Sequence, residues 1–337
     1  MSFIPDLLLP NLVFFVIGLV LIVWASDVFL DSAIWIAEAS GIPQVIIGAT
    51  IVSLGTTLPE VVSSCTAAAR GVSDMALGNA VGSVICNTGL VLGSVVFFVT
   101  TTVKREVFLI KGAFMLAGLF FALFLGFSEG GAGPTITRNE GFVLLTFLIV
   151  YLIVNYYESL HAGSPPPDVV EDIHVEGADR AAWVKQLVLF VTGAAFIAAG
   201  AFLLVEFGQR LARNVGISEA VVSLAFVALG TSLPELFTGI TAIRKKAEHV
   251  SVGNIFGANV LNIALVTGLS ATITDLHMQD AWLVRFDIPV ALALGGLVFV
   301  TGLIRGKADR WTGVVLLGAY VAYMASLFLS GRTPPAG

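Results

Sequence analysis

Apolar runs of about 20 residues follow one another along the whole chain, each long enough to cross a bilayer core as a helix. Polar residues, glycines and prolines punctuate them into ten predicted spans, at 11–30, 44–69, 74–98, 107–127, 139–157, 183–206, 217–243, 249–272, 281–303 and 311–330. One long polar stretch, Glu158 to Arg180, divides the spans five and five, and its prolines and acids read as an extended linker. The expectation is an all-α polytopic membrane protein with a first five-helix half at 1–157, an acidic linker at 158–182 and a second half at 183–337.

Composition strengthens this reading. Of 337 residues, 57% are hydrophobic and 12% charged, about half the charged fraction of a soluble globule. The first run has no basic region before it and no small-residue cleavage site after it, so a retained helix is expected in place of a signal peptide. Basic residues then set an orientation. With the N-terminus outside, the inner loops hold Lys104, Arg105, Lys111, Arg180, Lys185, Arg244, Lys245, Lys246, Arg305, Lys307 and Arg310. The outer set is Arg70, Arg138, Arg210, Arg213, Arg285 and Arg332. The excess predicts an outside N-terminus and an inside linker.

An internal repeat changes the picture most. GIPQVIIGATIVSLGTTLPE (Gly41 to Glu60) aligns without a gap on GISEAVVSLAFVALGTSLPE (Gly216 to Glu235), at an offset of 175 with 9 of 20 pairs identical. The same offset carries GNAVGSVICN (Gly78 to Asn87) onto GNIFGANVLN (Gly253 to Asn262). Five spans per copy is an odd number, so the second copy enters the membrane from the opposite side. Inverted repeats of this kind build secondary transporters, with the substrate held near the midplane where helices are broken.

Glu60 and Glu235 lie within these apolar segments, where an ionised side chain costs at least about 2.5–3.5 kcal/mol. Each is a protonated structural acid, a partner for an intramembrane Lys or Arg, or a ligand for a mobile cation. No basic residue falls mid-span, which removes the second option. The surroundings favour the third. Pro59 and Pro234 lack an N–H, so the carbonyls of Gly55 and Gly230 lose helical partners, and a bend there exposes the preceding turn, with Ser53 and Ala228. Thr56 and Thr231 share a face with their glutamates four residues on. Carboxylate, hydroxyl and carbonyl oxygens suit Ca²⁺ and Na⁺.

On the partner helices Asn79, Ser83 and Asn87 share one face, matched by Asn254, Ala258 and Asn262. These asparagines are either ligands or hydrogen-bonding glue between helices. Two carboxylates give a charge that one divalent ion cancels, and Na⁺ or H⁺ could occupy the same oxygens. Competition for one site exposed alternately to either side is sufficient for exchange.

The doublet GTTLPE and GTSLPE, each followed by GN-x-x-G, resembles the alpha repeats of the cation/Ca²⁺ exchanger superfamily, most of all the prokaryotic sodium/calcium exchangers. The resemblance covers essentially the whole chain. It implies an antiporter of a prokaryotic inner membrane, not an enzyme, carrying Ca²⁺ and Na⁺ with no cofactor, nucleic acid or obligate protein partner. It implies that Glu60 and Glu235 are central ligands shared by both ions, aided by Thr56, Thr231 and the carbonyls of Ser53 and Ala228. Ser83 matches a serine of a flanking Na⁺ site, and Asn87 matches the asparagine of the middle position. The second copy departs twice, with Ala258 where the family has a serine and Asn262 where it has an aspartate. The lost hydroxyl bears on sodium stoichiometry, and an H⁺-coupled relative is the alternative. An intramembrane hydrolase would need a nucleophile with its base, or paired aspartates, and neither motif occurs. Asp27, Asp31 and Glu38 either guide cations towards the site or face water as solvated surface, and the linker acids lack the spacing of a calcium loop.

Overall fold

The computed structural model describes residues 8–99, 105–126, 134–161, 179–214 and 230–330. Nearly all of them are helical, because a helix satisfies its backbone N–H and C=O groups within one segment and lipid offers no substitute. The helices are α1 (Leu8–Ser40), α2 (Gln44–Thr56), α3 (Leu58–Ala69), α4 (Ser73–Phe98), α5 (Arg105–Gly126), α6 (Arg138–His161), α7 (Arg180–Asn214), α8 (Leu233–Arg244), α9 (His249–Ile273), α10 (Leu283–Arg305) and α11 (Arg310–Leu329). Among the described residues eight helices are long and apolar enough to cross a membrane, and α2 with α3 makes a ninth, bent by 47°. Of the predicted span 217–243 only the part from Gly230 is described, and it holds α8. One element lies outside the all-α expectation: an antiparallel pair of two-residue strands, β1 (Thr135–Ile136) and β2 (Leu276–His277).

Several predicted boundaries move. The first span, expected to end at 30, runs 33 residues to Ser40, and the sixth runs 35 residues from Arg180 to Asn214. At 1.5 Å per residue each is about 50 Å long. Charge does not end α1 at Asp27 or Asp31 because those acids are paired: Lys245 Nζ lies 2.7 Å from Asp31 and 3.8 Å from Asp27. The helices also enter the predicted linker, α6 continuing to His161 and α7 beginning at Arg180. Lys111, counted with the inner loops, lies on α5 with its side chain buried, hydrogen-bonded to Asn155 and 2.9 Å from Glu158 Oε2. Lys185, Arg210, Arg213 and Arg285 also lie inside helices, short of their terminal residues.

Two apolar clusters hold the molecule together. One gathers Ile22, Phe29 and Ile34 of α1 with Ile197 and Leu204 of α7, and the other fills the remaining bundle. The α1–α7 contact is reciprocal. A Cβ on Gly18 would stand 2.8 Å from Leu203 Cβ and 3.0 Å from the nitrogen of Leu204, and one on Gly193 would stand 2.9 Å from Phe29 Cβ. Gly18 and Gly193 are 175 apart, as are Phe29 and Leu204. The ends of α3 and α8 repeat too. Val72 N–H bonds Ala67 O at 2.9 Å and Ala247 N–H bonds Ala242 O at 2.8 Å. Each closure needs a left-handed residue, Gly71 (φ 76°) in one copy and Lys246 (φ 54°) in the other.

Candidate ion-binding site

The two prolines begin helices. Thr57 (φ −82°, ψ −4°) and Ser232 (φ −88°, ψ 3°) mark the breaks, and Pro59 and Pro234 enter the first turn of α3 and α8. Proline is tolerated there because its missing N–H would have had no partner. Glu60 and Glu235 consequently sit in the first turn of a half-helix, where the positive end of the helix dipole favours a carboxylate.

Glycine brings the segments together. Gly48 on α2 lies against the carbonyl of Val250, Gly253 against that of Val45, and Gly257 against that of Ala49, with no room for a methyl at any of them. Among the described residues three π turns interrupt the helices around the site: Gly48–Val52, Asn87–Leu92 and Asn262–Thr267. Such turns cluster at functional sites. Asn87 and Asn262 each open one. Turn 87–92 packs against α8 and turn 262–267 against α3, so each asparagine's turn meets the glutamate helix of the other copy.

Glu60, Glu235, Asn87 and Asn262 are all 0% exposed. Among the described residues none of their side-chain oxygens or nitrogens finds a hydrogen-bond partner, although each such orphan costs about 1–3 kcal/mol and more if charged. The two carboxylates lie within electrostatic reach of each other. The hydroxyls of Thr231 and Ser83 stand near Glu60, and that of Thr56 near Glu235. The threonines are tied crosswise: Thr56 Oγ1 donates to Asn254 Oδ1 at 3.3 Å, and Thr231 Oγ1 donates to Asn79 Oδ1 at 3.2 Å. Asn79 also donates to Ser64 Oγ (2.8 Å) and Asn254 to Thr238 Oγ1 (3.4 Å), so both work as glue between helices. From α7, Ala194, Ile197 and Ala198 close over Gly55, Thr56, Pro59 and Pro234.

The structure therefore brings together Glu60, Glu235, Thr56, Thr231 and Ser83, the last 3.5 Å from Thr231. Ser53 departs from expectation. Its carbonyl accepts Thr57 N–H at 2.9 Å, because the break falls after Thr57 and the N–H still reaches back four residues, and at 3.3 Å it shares the one Thr56 hydroxyl proton with Asn254 Oδ1. It would have to release Thr56 to take a cation. Ala228 lies outside the described residues. Ala258 is fully buried and offers no counterpart to the Ser83 hydroxyl. Thr57 and Ser232 went unread in the sequence: both are buried, their hydroxyls without a partner among the described residues, and the signal was a second hydroxyl repeated at offset 175. Among the described residues no three His, Cys, Asp or Glu side chains come together, so neutral oxygens must complete any cation shell.

Broken helices meeting around buried, partnerless carboxylates define a polytopic membrane transporter. The model of the sodium/calcium exchanger protein family matches residues 10–157 and 185–329. The chain is 34% identical to CaxA of Alkalimonas amylolytica over 94% of this chain and 98% of that one. It is 30% identical to the sodium/calcium exchanger MaX1 of Methanosarcina acetivorans, again over 94% and 98%. A solved structure of the sodium-calcium exchanger NCX_Mj, soaked with 10 mM Na⁺ and zero Ca²⁺, superposes with a TM-score of 0.80 at 27% identity, over 95% of this chain and all of that one. This chain belongs to the sodium/calcium exchanger family. It is an integral, multi-pass membrane antiporter of that family, not an enzyme.

Proposed function

We propose that the chain exchanges Ca²⁺ for Na⁺ by alternating access at a midplane site centred on Glu60 and Glu235. Thr56, Thr231, Ser83, Asn87 and Asn262 supply neutral ligand atoms, and the carbonyls of Ala228 and, on releasing Thr56, of Ser53 complete the shell. In this reading ten helices form two inverted five-helix repeats, 1–157 and 183–337, joined by the linker 158–182. The N-terminus faces outward across a prokaryotic inner membrane. The observation that carries the proposal is the set of buried carboxylates and carboxamides without hydrogen-bond partners. Such a set is costly when empty and is offset by a dehydrated cation, which ties movement of the site to occupancy.

The test is ⁴⁵Ca²⁺ uptake into proteoliposomes, driven by an outward Na⁺ gradient and separately by an outward H⁺ gradient. Uptake with Na⁺ is the expected result. Uptake with H⁺ alone would make the chain a proton-coupled antiporter, the reading to which buried Ala258, with no hydroxyl for a flanking Na⁺, lends support. Uptake surviving Glu60→Gln and Glu235→Gln together would sink the site.

A further inference from the structure

The π turn of α2 changes which carbonyls are served. In an α-helix the N–H of Ser53 would bond the carbonyl of Ala49, but here it is shared between the carbonyls of Gly48 and Thr50 and passes Ala49 over. The Ala49 carbonyl accepts the phenol of Tyr151, on α6, at 2.9 Å. Tyr151 is 0% exposed and packs edge-on to Phe114, with ring centroids 5.4 Å apart. Its own carbonyl accepts Asn155 Nδ2 at 2.8 Å. Asn155 is in turn held by the buried Lys111, which pairs with Glu158 in the last turn of α6. An ionisable residue on a membrane helix is expensive and marks function, and a lysine cannot serve as the ligand of a cation.

A π turn carries one residue more than an α turn. If it relaxed, the segment beyond it would rotate by about 100°, taking Thr56 and Glu60 away from the site. On the far side of Ala49 the Gly257 contact keeps α9 flush with the same carbonyl. In the second copy the last span aligns at an offset of 172, GFVLL from Gly141 on GVVLL from Gly313, so the counterpart is Tyr323, whose phenol donates to Asp287 Oδ1 at 3.2 Å.

We propose that Tyr151 is a positioning residue for the first half-site, fixing the π register of α2 and hence the aim of Thr56 and Glu60. This rests on the transport reading above. The test compares Na⁺-driven ⁴⁵Ca²⁺ uptake by wild type, Tyr151→Phe and Tyr323→Phe in proteoliposomes. Tyr323, the counterpart in the second copy, gives its phenol to Asp287 and serves as the control for the same deletion in the other half. Tyr151→Phe raises the half-saturating Ca²⁺ concentration about three- to tenfold, the range for one lost hydrogen bond. Its maximal rate per monodisperse transporter is retained, and Tyr323→Phe leaves half-saturation unchanged. If Tyr151→Phe is not monodisperse, Tyr151→Met takes its place. Wild-type half-saturation in the Tyr151 variant, a loss of maximal rate alone, or equal shifts in both variants would overturn the proposal. If wild type transports with neither gradient, the transport reading fails, and the Ca²⁺-induced thermal shift of Tyr151→Phe then judges the positioning role by itself.

Discussion

Replacing Glu235 with glutamine should make the ion-free protein more stable and the ion-bound protein less so. Glu235 is 0% exposed and its oxygens have no hydrogen-bond partner among the described residues. An ionised carboxylate so placed costs about 2.5–3.5 kcal/mol, whereas a buried, unpaired amide costs about 1–3 kcal/mol. The difference favours the variant by about 1 kcal/mol without ions. With Ca²⁺ the sign reverses, since removing one member of a buried charge pair costs about 3–5 kcal/mol, a loss of at least about 100-fold in affinity. A ligand at 100 times its Kd stabilises by about 2.7 kcal/mol. At the same Ca²⁺ concentration a site weakened 100-fold retains only about 0.4 kcal/mol of that. Thermal unfolding in detergent with and without Ca²⁺ reads both signs. The variant should start above wild type and lose most of the Ca²⁺ shift. A full Ca²⁺ shift, or a lowered ion-free Tm, would refute the reasoning.

Ala258→Ser restores the hydroxyl matching Ser83 and should lower the Na⁺ concentration that half-maximally drives Ca²⁺ movement, roughly two- to tenfold, as read in proteoliposomes. Lys111→Met leaves Glu158, 19% exposed, without its partner and should cost about 2 kcal/mol of thermal stability, and Glu158→Gln in the same chain should recover it. Lys246→Gly removes a side chain from a left-handed position (φ 54°) and should raise stability by about 1 kcal/mol. Asp309 caps α11 through Thr312 N–H, and that hydrogen bond holds its carboxyl below the usual range. A depressed pKa gives stability that is present at neutral pH and lost as pH falls through it. Asp309→Ala should therefore cost about 1 kcal/mol at pH 7, with the gap to wild type closing in strong acid.

The parts of the fold legible in sequence are those with a pattern that repeats. GTTLPE and GTSLPE announced both helix breaks, because proline and an intramembrane carboxylate each carry a cost that something must offset. The crosswise ties of Thr56 to Asn254 and Thr231 to Asn79 were not legible, since spacing fixes which residues share a face but not whom they meet. The π turns at Gly48, Asn87 and Asn262 leave no mark either, being changes of hydrogen-bond register without a preferred composition. Asp27 and Asp31 misled the end of α1 because their partner, Lys245, is more than two hundred residues away in sequence. Lys111 misled the loop count for the same reason, its charge being answered by Glu158 and Asn155 on another helix.

The reciprocal contact of Gly18 with Leu204 and Gly193 with Phe29 has a consequence for how this chain can change over generations. It is the kind of surface two identical subunits share about a two-fold axis, where every position meets its opposite number's neighbour. The seam carries the constraint of a homodimer inside one polypeptide. A methyl group gained at either glycine strikes the other copy, so a compensating change must already stand there. Substitutions along this line are screened first for fit between the halves and only afterwards for transport.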